Sequence, residues 1–339
     1  MKSTVTISSK LFGGLLVAML AFASQNLNAQ VFVANQSGSI GEYTVSGATI
    51  NPNLITGLPT SSGAGPEGLA VEATSNGYNL FAADDANGAI YEYQVNGGTV
   101  SAATTIGTVP SGMPTSLAVS GTTLYIADDD TGNVLKYDLS GSSPVQSTVV
   151  TGQGDFSPRA LALGGSNLYI TDTNNVGSVV EYVPGTGTSN VLSSTTDSNV
   201  AYPIGIAVSG NNLFITNNNT NSVSEYALSG TNNSTAILNN LFSLTGLNNP
   251  IALAVSGNDL LVSSASGSTI KAYSISGNGA VDTSFTTITD TSLPEQIAVL
   301  APVPELSSGV LTSLASAVMI VCVLLRRRLP EAKSAVTEA

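Results

Sequence analysis

The 339-residue chain contains no histidine, no tryptophan and a single cysteine, Cys322. These absences exclude catalytic centres that depend on histidine and zinc sites built from cysteine and histidine. They also remove tryptophan as a stacking platform for sugars. Charged residues make up only 9% of the chain, well below the roughly one quarter of an average globular domain. Because 42% of the residues are hydrophobic, we expect a folded protein whose surface consists mostly of Gly, Ser, Thr and Asn.

Positive charge is especially scarce in the central part of the chain. Residues 30–301 contain three basic residues, Lys136, Arg159 and Lys271, and 19 acidic ones. A body with this charge repels phosphate backbones and anionic membrane surfaces, so we expect no nucleic-acid partner. Cations and neutral polymers are the partners that the charge favours. The central part also has no cysteine, so its stability must come from packing without disulfides.

Residues 1–29 have the pattern of a secretory signal peptide. Lys2 and Lys10 flank the start of an apolar run over residues 11–23, which small and polar residues follow. Cleavage could follow Ala23 or Ala29. The alternative interpretation is a buried first strand or helix. The signal-peptide interpretation predicts that the protein is exported.

The C-terminal segment, residues 302–328, combines a Pro-Glu pair, an apolar span and an arginine cluster. Pro304 and Glu305 precede residues 309–325, which carry no charge and are about as long as the shortest membrane-spanning helices. The cluster that follows is Arg326, Arg327 and Arg328. Under the positive-inside rule it keeps residues 329–339 in the cytoplasm, with the body of the protein outside.

This arrangement resembles the PEP-CTERM sorting signal of Gram-negative bacteria, with Leu306 where the motif has its second proline. The resemblance implies an exosortase-type sorting enzyme as a partner, and contact with the membrane at least during sorting. It also implies delivery to the cell surface or the exopolysaccharide matrix. The alternative is a retained membrane anchor that leaves the body facing the periplasm.

Two motifs repeat six times through the central part of the chain, both with a period of about 45 residues. The motif P-x-x-[LI]-A-[VL] begins at Pro66, Pro114, Pro158, Pro203, Pro250 and Pro294. The motif [VI]-x-x-Y ends at Tyr43, Tyr93, Tyr137, Tyr182, Tyr226 and Tyr273. Within a unit, β-rich runs alternate with Ser-Gly and Asp-rich turns, which predicts four short strands. The first Tyr motif precedes every Pro motif and the last Pro motif has no Tyr motif after it, so the two ends together complete one unit.

The Tyr motif indicates that both faces of each sheet are covered. Its two apolar anchors lie three residues apart and therefore point to opposite faces of a strand. Blades packed face to face around a ring satisfy this requirement and leave few exposed edges. We therefore predict an all-β fold over residues 30–301, a six-bladed β-propeller of four-stranded blades closed by pairing of the N- and C-terminal strands. A C-terminal transmembrane helix is predicted to follow it.

Together with L-[YF]-[IV]-x-[DN] between them, the two motifs resemble those of NHL-repeat propellers and their gluconolactonase-like relatives. The resemblance implies the fold but leaves the activity open, because such propellers bind or catalyse through very different mouths. Lyase relatives use a catalytic histidine, which this chain lacks. Hydrolase relatives need a divalent metal held by acidic and amide side chains, for which Glu67 is one candidate ligand.

The candidate ligand contacts are the residues directly after each motif proline, because the turn into the innermost strand lies at one mouth of the central channel. These residues are Glu67, Thr115, Arg159, Ile204, Ile251 and Glu295. Two carboxylates and a guanidinium could hold an ion or a polar ligand. Alternatively, Arg159 neutralises Glu67 and Glu295 across the ring. We predict no catalytic residue and no cofactor, with a bound divalent cation as the alternative.

A second series of polar residues ends the second strand of successive units. Its members are Asp84, Asp128, Asp172 and Asn217. One interpretation is a set of calcium loops, and the other is that these side chains accept hydrogen bonds from their own turns. Recurrence at one structural position and the lack of a distal Glu favour the second interpretation. The motif tyrosines are likewise expected to pack in the interior.

The sequence thus predicts an exported, surface- or matrix-associated propeller with a non-enzymatic binding or scaffold role. Its expected partner is a matrix polymer or another surface protein. A metal-dependent hydrolase or lactonase is the alternative. Three or more oxygen ligands converging at the channel mouth would favour the enzyme, whereas a channel filled by Ile and Val would favour the scaffold.

Overall fold

The computed structural model describes most of the chain between residues 29 and 300. The described ranges are 29–58, 65–109, 112–152, 156–174, 177–193, 200–228, 239–245, 247–275, 281–282, 287–289 and 293–300. The predicted signal peptide up to residue 28 and the predicted sorting segment, with Pro304, Glu305 and the three arginines, lie outside them. Within the described ranges, no helix is long and apolar enough to cross a membrane.

The described residues form 26 β-strands in six antiparallel sheets, with a short 3-10 turn at Asn218–Thr220. The first thirteen strands are β1 (Gln30–Asn35), β2 (Ser39–Thr44), β3 (Thr49–Ile55), β4 (Pro66–Thr74), β5 (Gly77–Asp84), β6 (Ala89–Asn96), β7 (Thr99–Val100), β8 (Thr104–Thr108), β9 (Pro114–Ser120), β10 (Thr123–Asp128), β11 (Asn133–Asp138), β12 (Val145–Thr151) and β13 (Pro158–Gly164). The others are β14 (Asn167–Asp172), β15 (Ser178–Val183), β16 (Thr188–Ser193), β17 (Pro203–Ser209), β18 (Asn212–Asn217), β19 (Ser222–Ala227), β20 (Asn239–Leu244), β21 (Pro250–Ser256), β22 (Asp259–Ser264), β23 (Thr269–Ile275), β24 (Val281–Asp282), β25 (Thr287–Thr289) and β26 (Pro294–Leu300).

Each sheet is one blade, and its innermost strand is the one that begins with a motif proline. We number the blades from this strand: blade 1 starts at β4, blade 2 at β9, blade 3 at β13, blade 4 at β17, blade 5 at β21 and blade 6 at β26. Neighbouring inner strands contact each other in this order, and β26 contacts β4 again. The six blades therefore surround a central channel, which confirms the predicted six-bladed propeller.

The ring closes within blade 6, where strands from both ends of the propeller share one sheet. Strand β1 lies between β26 and β2. Gln30 pairs with Leu300 at one end of this contact and Asn35 with Pro294 at the other. The predicted closure is thus confirmed. Because the motif prolines mark the mouth, the chain enters and leaves the propeller side by side at the opposite face.

Four blades have the predicted four strands, whereas the outer strand of blades 1 and 5 is divided in two. In blade 1 both β7 and β8 pair with β6, and in blade 5 both β24 and β25 pair with β23. An outermost strand pairs on one side only, so an interruption there costs fewer ladder hydrogen bonds than it would inside the sheet. The evenly spaced motifs predicted one outer strand in every blade and gave no sign of these interruptions.

The hydrophobic core is divided into six clusters, each between two neighbouring blades. The Tyr motif supplies both sides of these interfaces. Val134 belongs to the cluster between blades 2 and 3, and Tyr137, three residues later, to the cluster between blades 1 and 2. All six motif tyrosines are buried. Apolar anchors on both faces of each blade are therefore what hold the ring together.

The turns between the second and third strands share one backbone feature in all six blades. The last residue of each turn has a positive φ of 46° to 82°. Four blades place glycine here, and the other two place Asn and Ser: the residues are Gly38, Gly88, Gly132, Gly177, Asn221 and Ser268. Glycine adopts this left-handed conformation without steric cost, which explains why the Asp-rich turns commonly end in glycine.

Candidate functional site at the channel mouth

The residues after the motif prolines come together at one end of the channel. All six residues that follow a motif proline line, with Gln296, a cavity of about 60 Å³. Four of them are the predicted ligand contacts Glu67, Thr115, Arg159 and Glu295. They meet because each is the second residue of an inner strand, and the six inner strands begin at the same level around the ring. The sequence prediction of which residues lie together is therefore matched by the geometry. Their role as ligand contacts stays a prediction.

A second layer of residues is fixed around this cavity by a repeated backbone hydrogen bond. In five blades, the residue that follows the second strand donates its N–H to the carbonyl of the residue before the motif proline. Asp129 thus bonds to Met113 at 3.1 Å, and Gln36 to Leu293 at 3.0 Å. The equivalent position in blade 1 is Asp85. Sequence reasoning missed Asp85 and Asp129 at the mouth, although each follows a turn acid that pairs with a motif proline.

Arg159 connects three blades at the mouth. Its Nη2 lies 3.2 Å from Glu67 Oε2 in blade 1, and its Nη1 lies 3.6 Å from Asp129 Oδ2 in blade 2. Ser157 Oγ donates to the other oxygen of Asp129, which fixes that carboxylate. The predicted neutralisation of Glu67 is therefore present. Among the described residues, Arg159 forms no ion pair with Glu295. Its second ion pair is with Asp129 instead.

Three carboxyl groups at the mouth, those of Glu67, Asp85 and Glu295, have raised pKa values. Burial raises the pKa of Glu67, partly offset by Arg159, while the charge of Glu295 raises it further. Burial also raises the pKa of Glu295. The pKa of Asp85 rises to about 6, first through burial and then through the charges of Glu67 and Asp84. Its Oδ1 is buried and has no hydrogen-bond partner among the described residues.

The mouth is chemically asymmetric. Blades 6, 1 and 2 contribute Glu295, Glu67, Asp85 and Asp129, whereas blades 4 and 5 contribute Ile204 and Ile251. No group of three His, Cys, Asp or Glu residues in the described part of the chain is arranged to hold a metal ion. The arrangement suits recognition of a cationic group on one side and an apolar group on the other.

Beyond the mouth, apolar residues line the central channel. A cavity of about 230 Å³ is bordered by the [LI]-A-[VL] part of the motif from all six inner strands, for example Leu69, Ala70 and Val71. These side chains border a cavity and do not fill it, so the channel is not the one filled by Ile and Val that was expected of a scaffold. The residues that line this cavity therefore offer no polar side chain for chemistry below the mouth.

The Asp and Asn residues at the ends of the second strands accept hydrogen bonds from nearby backbone N–H groups. Asp128 Oδ1 accepts from the N–H of Met113 at 3.2 Å and from that of Thr131 at 3.4 Å. Asp172 accepts from the N–H of Ser157 at 3.0 Å. Asn217 plays the same part in blade 4. These bonds join the turn to the segment that leads into the inner strand, which is the structural interpretation of the repeated Asp and Asn.

Comparison with solved structures places this architecture among known propellers. No protein-family model and no curated protein matches the sequence. A chain of a nidogen/laminin complex is 16% identical, with a TM-score of 0.64, over 80% of this chain and 98% of the other. A Bacteroides uniformis protein described as a 6-phosphogluconolactonase is 16% identical, with a TM-score of 0.58, over 80% and 99% of the two chains. The periplasmic gluconolactonase of Pseudomonas aeruginosa is 14% identical, with a TM-score of 0.53, over 81% and 99%. At these identities the similarity establishes the β-propeller fold that the chain shares with them.

Proposed function

We propose that the protein is an exported β-propeller of the cell surface or extracellular matrix that acts as a non-enzymatic binding or scaffold protein. One observation carries the non-enzymatic part of this proposal. The guanidinium of Arg159 lies at the mouth 3.2 Å from Glu67, the one candidate metal ligand named for a lactonase-type site. A divalent cation at Glu67 would be repelled by this charge, and coordination there would require Arg159 to move.

The charge and topology of the propeller support a binding role for the mouth. The mouth gathers four carboxylates around one guanidinium. Both ends of the propeller, at Gln30 and Leu300, lie at the face opposite the mouth. Its charge favours a partner that carries ammonium or guanidinium groups, such as a surface protein or an amino-sugar polymer of the matrix.

The sorting part of the proposal depends on the C-terminal Pro-Glu pair, apolar span and arginine cluster. Fractionation of cells with and without the exosortase-type enzyme tests it. We expect the protein in the surface or matrix fraction when the enzyme is present, and in the membrane fraction when it is missing. Mass spectrometry of the mature C-terminus distinguishes a processed protein from a retained anchor. A cytoplasmic protein that keeps residues 1–29 would contradict the proposal.

The binding part is tested with isolated matrix polymer from the same cells. Binding by the mature protein is compared with that of the double variant Glu67→Gln/Glu295→Gln. We expect at least tenfold weaker binding by the variant and a loss of affinity with added salt, because the contact is electrostatic. Asp138→Asn is the matched control, since Asp138 is an exposed carboxylate on β11, outside the mouth. Equal affinities for both variants would contradict a role for the mouth.

A metal-dependent lactonase is the second candidate. The acidic half of the mouth favours this function. The chain also shares its fold with two proteins described as lactonases, which is compatible with a lactonase. Its test is hydrolysis of a sugar δ-lactone in the presence of Ca²⁺ or Mn²⁺, with and without a chelator. Metal-dependent turnover that is lost in Glu67→Gln would favour this candidate over the binding protein.

A further inference from the structure

The ionisable groups at the mouth form one compact cluster drawn from different blades, so its charge depends on how many protons it holds. We propose that the channel mouth is a proton-operated charge switch, in which mild acidification cancels the negative charge around Arg159. The cluster comprises Glu67, Asp85, Asp129, Arg159 and Glu295.

Every described element around the mouth can be accounted for. Strand β4 presents Glu67, β26 presents Glu295 and β13 presents Arg159. Strand β5 ends at Asp84, the turn after it presents Asp85, and the turn after β10 presents Asp129. The remaining inner strands β9, β17 and β21 present only Thr115, Ile204 and Ile251, which do not titrate. Among the described groups, Arg159 is thus a single permanent cation that faces four carboxylates, with Asp84 next to Asp85 in the chain.

Enclosure favours the protonated form of Glu67 and Glu295. Glu67 and Glu295 line a cavity of only about 60 Å³, where water solvates their charges poorly. The raised pKa values of Glu67 and Glu295, and that of Asp85 at about 6, agree with this geometry. Arg159 stays charged throughout, so each proton taken up makes the mouth more positive by one unit.

Protonation also changes what holds Arg159. When Glu67 becomes neutral, the contact of Arg159 with blade 1 is no longer an ion pair. The attachment of the guanidinium to blade 1 is then weaker. The next consequence rests on the proposed function. If the mouth binds cationic groups, acidification releases the partner.

The switch itself is tested by a carboxyl ¹³C NMR titration of the full-length protein, with the Asp85 resonance assigned by Asp85→Asn. We expect a midpoint near 6 for Asp85. Glu67→Gln should lower this midpoint because it removes a like charge, and Arg159→Gln should raise it because it removes a cation. Asp138→Asn should leave it unchanged. Circular dichroism at neutral pH verifies that each variant keeps the native fold.

A second measurement separates the switch from the binding function. Binding of a fluorescent penta-lysine peptide is measured at pH 7.5 and pH 5 at constant ionic strength, and we expect at least tenfold weaker binding at pH 5. The expected titration without any peptide binding would support the switch and overturn the binding role of the mouth. An Asp85 midpoint near the ordinary aspartate value, unmoved by Glu67→Gln and Arg159→Gln, would overturn the switch whether or not the peptide binds.

Discussion

Among single residues, Gly107 on β8 shows how closely neighbouring blades approach. A Cβ atom at this position would overlap the ring of Tyr137 in blade 2. Tyr137 is only 4% exposed, and its hydroxyl donates to the carbonyl of Thr108 at 3.2 Å. We therefore expect Gly107→Ala to lower the free energy of unfolding by about 1–3 kcal/mol through overpacking.

Chemical denaturation measures this effect. Gly185→Ala is the matched control, because Gly185 has no atom within 4 Å of the added methyl group and no positive φ. The control should change the free energy of unfolding by less than about 0.5 kcal/mol. Equal midpoints for the two variants would show that the interface between blades 1 and 2 can move apart without cost.

Asp128 provides a second test on the residue scale. It is 2% exposed and accepts the N–H groups of Met113 and Thr131. Asp128→Ala leaves both donors without this acceptor, so we expect a loss of about 1–3 kcal/mol in the free energy of unfolding. Asp130→Ala, in the same turn but exposed, should have little effect.

The same variants distinguish a structural turn from a calcium loop. If the turn is structural, a chelator leaves the melting temperature of the wild-type protein unchanged and the loss in Asp128→Ala does not depend on Ca²⁺. A wild-type melting temperature that rises with added Ca²⁺, and no longer does so in Asp128→Ala, would establish the calcium loop instead.

On the scale of secondary-structure elements, the turn into β23 has an unfavourable residue. Ser268 has a φ of 46° at the position where four other blades have glycine. A non-glycine residue in this conformation costs roughly 1–2 kcal/mol. Replacement by glycine recovers only part of this energy, because glycine has more conformational freedom in the unfolded chain. We expect Ser268→Gly to raise the free energy of unfolding by about 0.5–1 kcal/mol, measured by denaturation. A destabilised Ser268→Gly variant would mean that the Ser side chain stabilises the turn.

The closing contact between β1 and β26 can be tested by a cross-link. Gln30 and Leu300 are paired residues, and replacement of Cys322 by Ser removes the one native thiol. Gln30→Cys/Leu300→Cys should form a disulfide on oxidation and raise the free energy of unfolding by about 2–4 kcal/mol, because it joins the ends of a long loop. Gln30→Cys/Val145→Cys, with Val145 on a different blade, should form none. Failure of the first pair to oxidise in the folded protein would contradict closure through β1.

For the whole molecule, burial of carboxylates makes the free energy of unfolding depend on pH. Folding raises the pKa of one carboxylate to about 6, that of Asp85. It also raises the pKa of Glu42, Glu67, Asp84, Glu92, Glu225 and Glu295. Between the ordinary carboxyl values near 4 and these folded-state values, the native protein binds more protons than the unfolded chain. The free energy of unfolding therefore falls as the pH rises through this window.

We expect the melting temperature to be higher at pH 5 than at pH 7.5 by several degrees, since 1 kcal/mol corresponds to about 2–4 °C in a domain of 150–250 residues. Thermal unfolding at constant ionic strength measures it. Asp85→Asn should flatten the dependence near pH 6. A melting temperature that rises from pH 5 to pH 7.5 would show that other groups, with lowered pKa values, dominate the stability.

The sequence predicted the propeller well because its determinants are local and repeated. A proline, an alternating strand and a Tyr motif recur in each unit, and each fixes a strand or turn by short-range sterics and hydrophobic periodicity. The division of the outer strands of blades 1 and 5 was not predicted, because the segments β7 and β24 have only two residues each. Segments this short carry no periodic signal.

The candidate site was predicted only in part, for a related reason. Glu67, Arg159 and Glu295 follow motif prolines, so the repeat itself assigned them to one mouth. Asp85 and Asp129 belong to turns between other strands, and their approach to Arg159 depends on how neighbouring blades pack. The sequence by itself thus determined the number of blades, the closure and the inner ring of the mouth. Tertiary structure alone decided which carboxylates share Arg159 and hold protons tightly, because charge interactions depend on distance and burial across blades, and a repeat encodes neither.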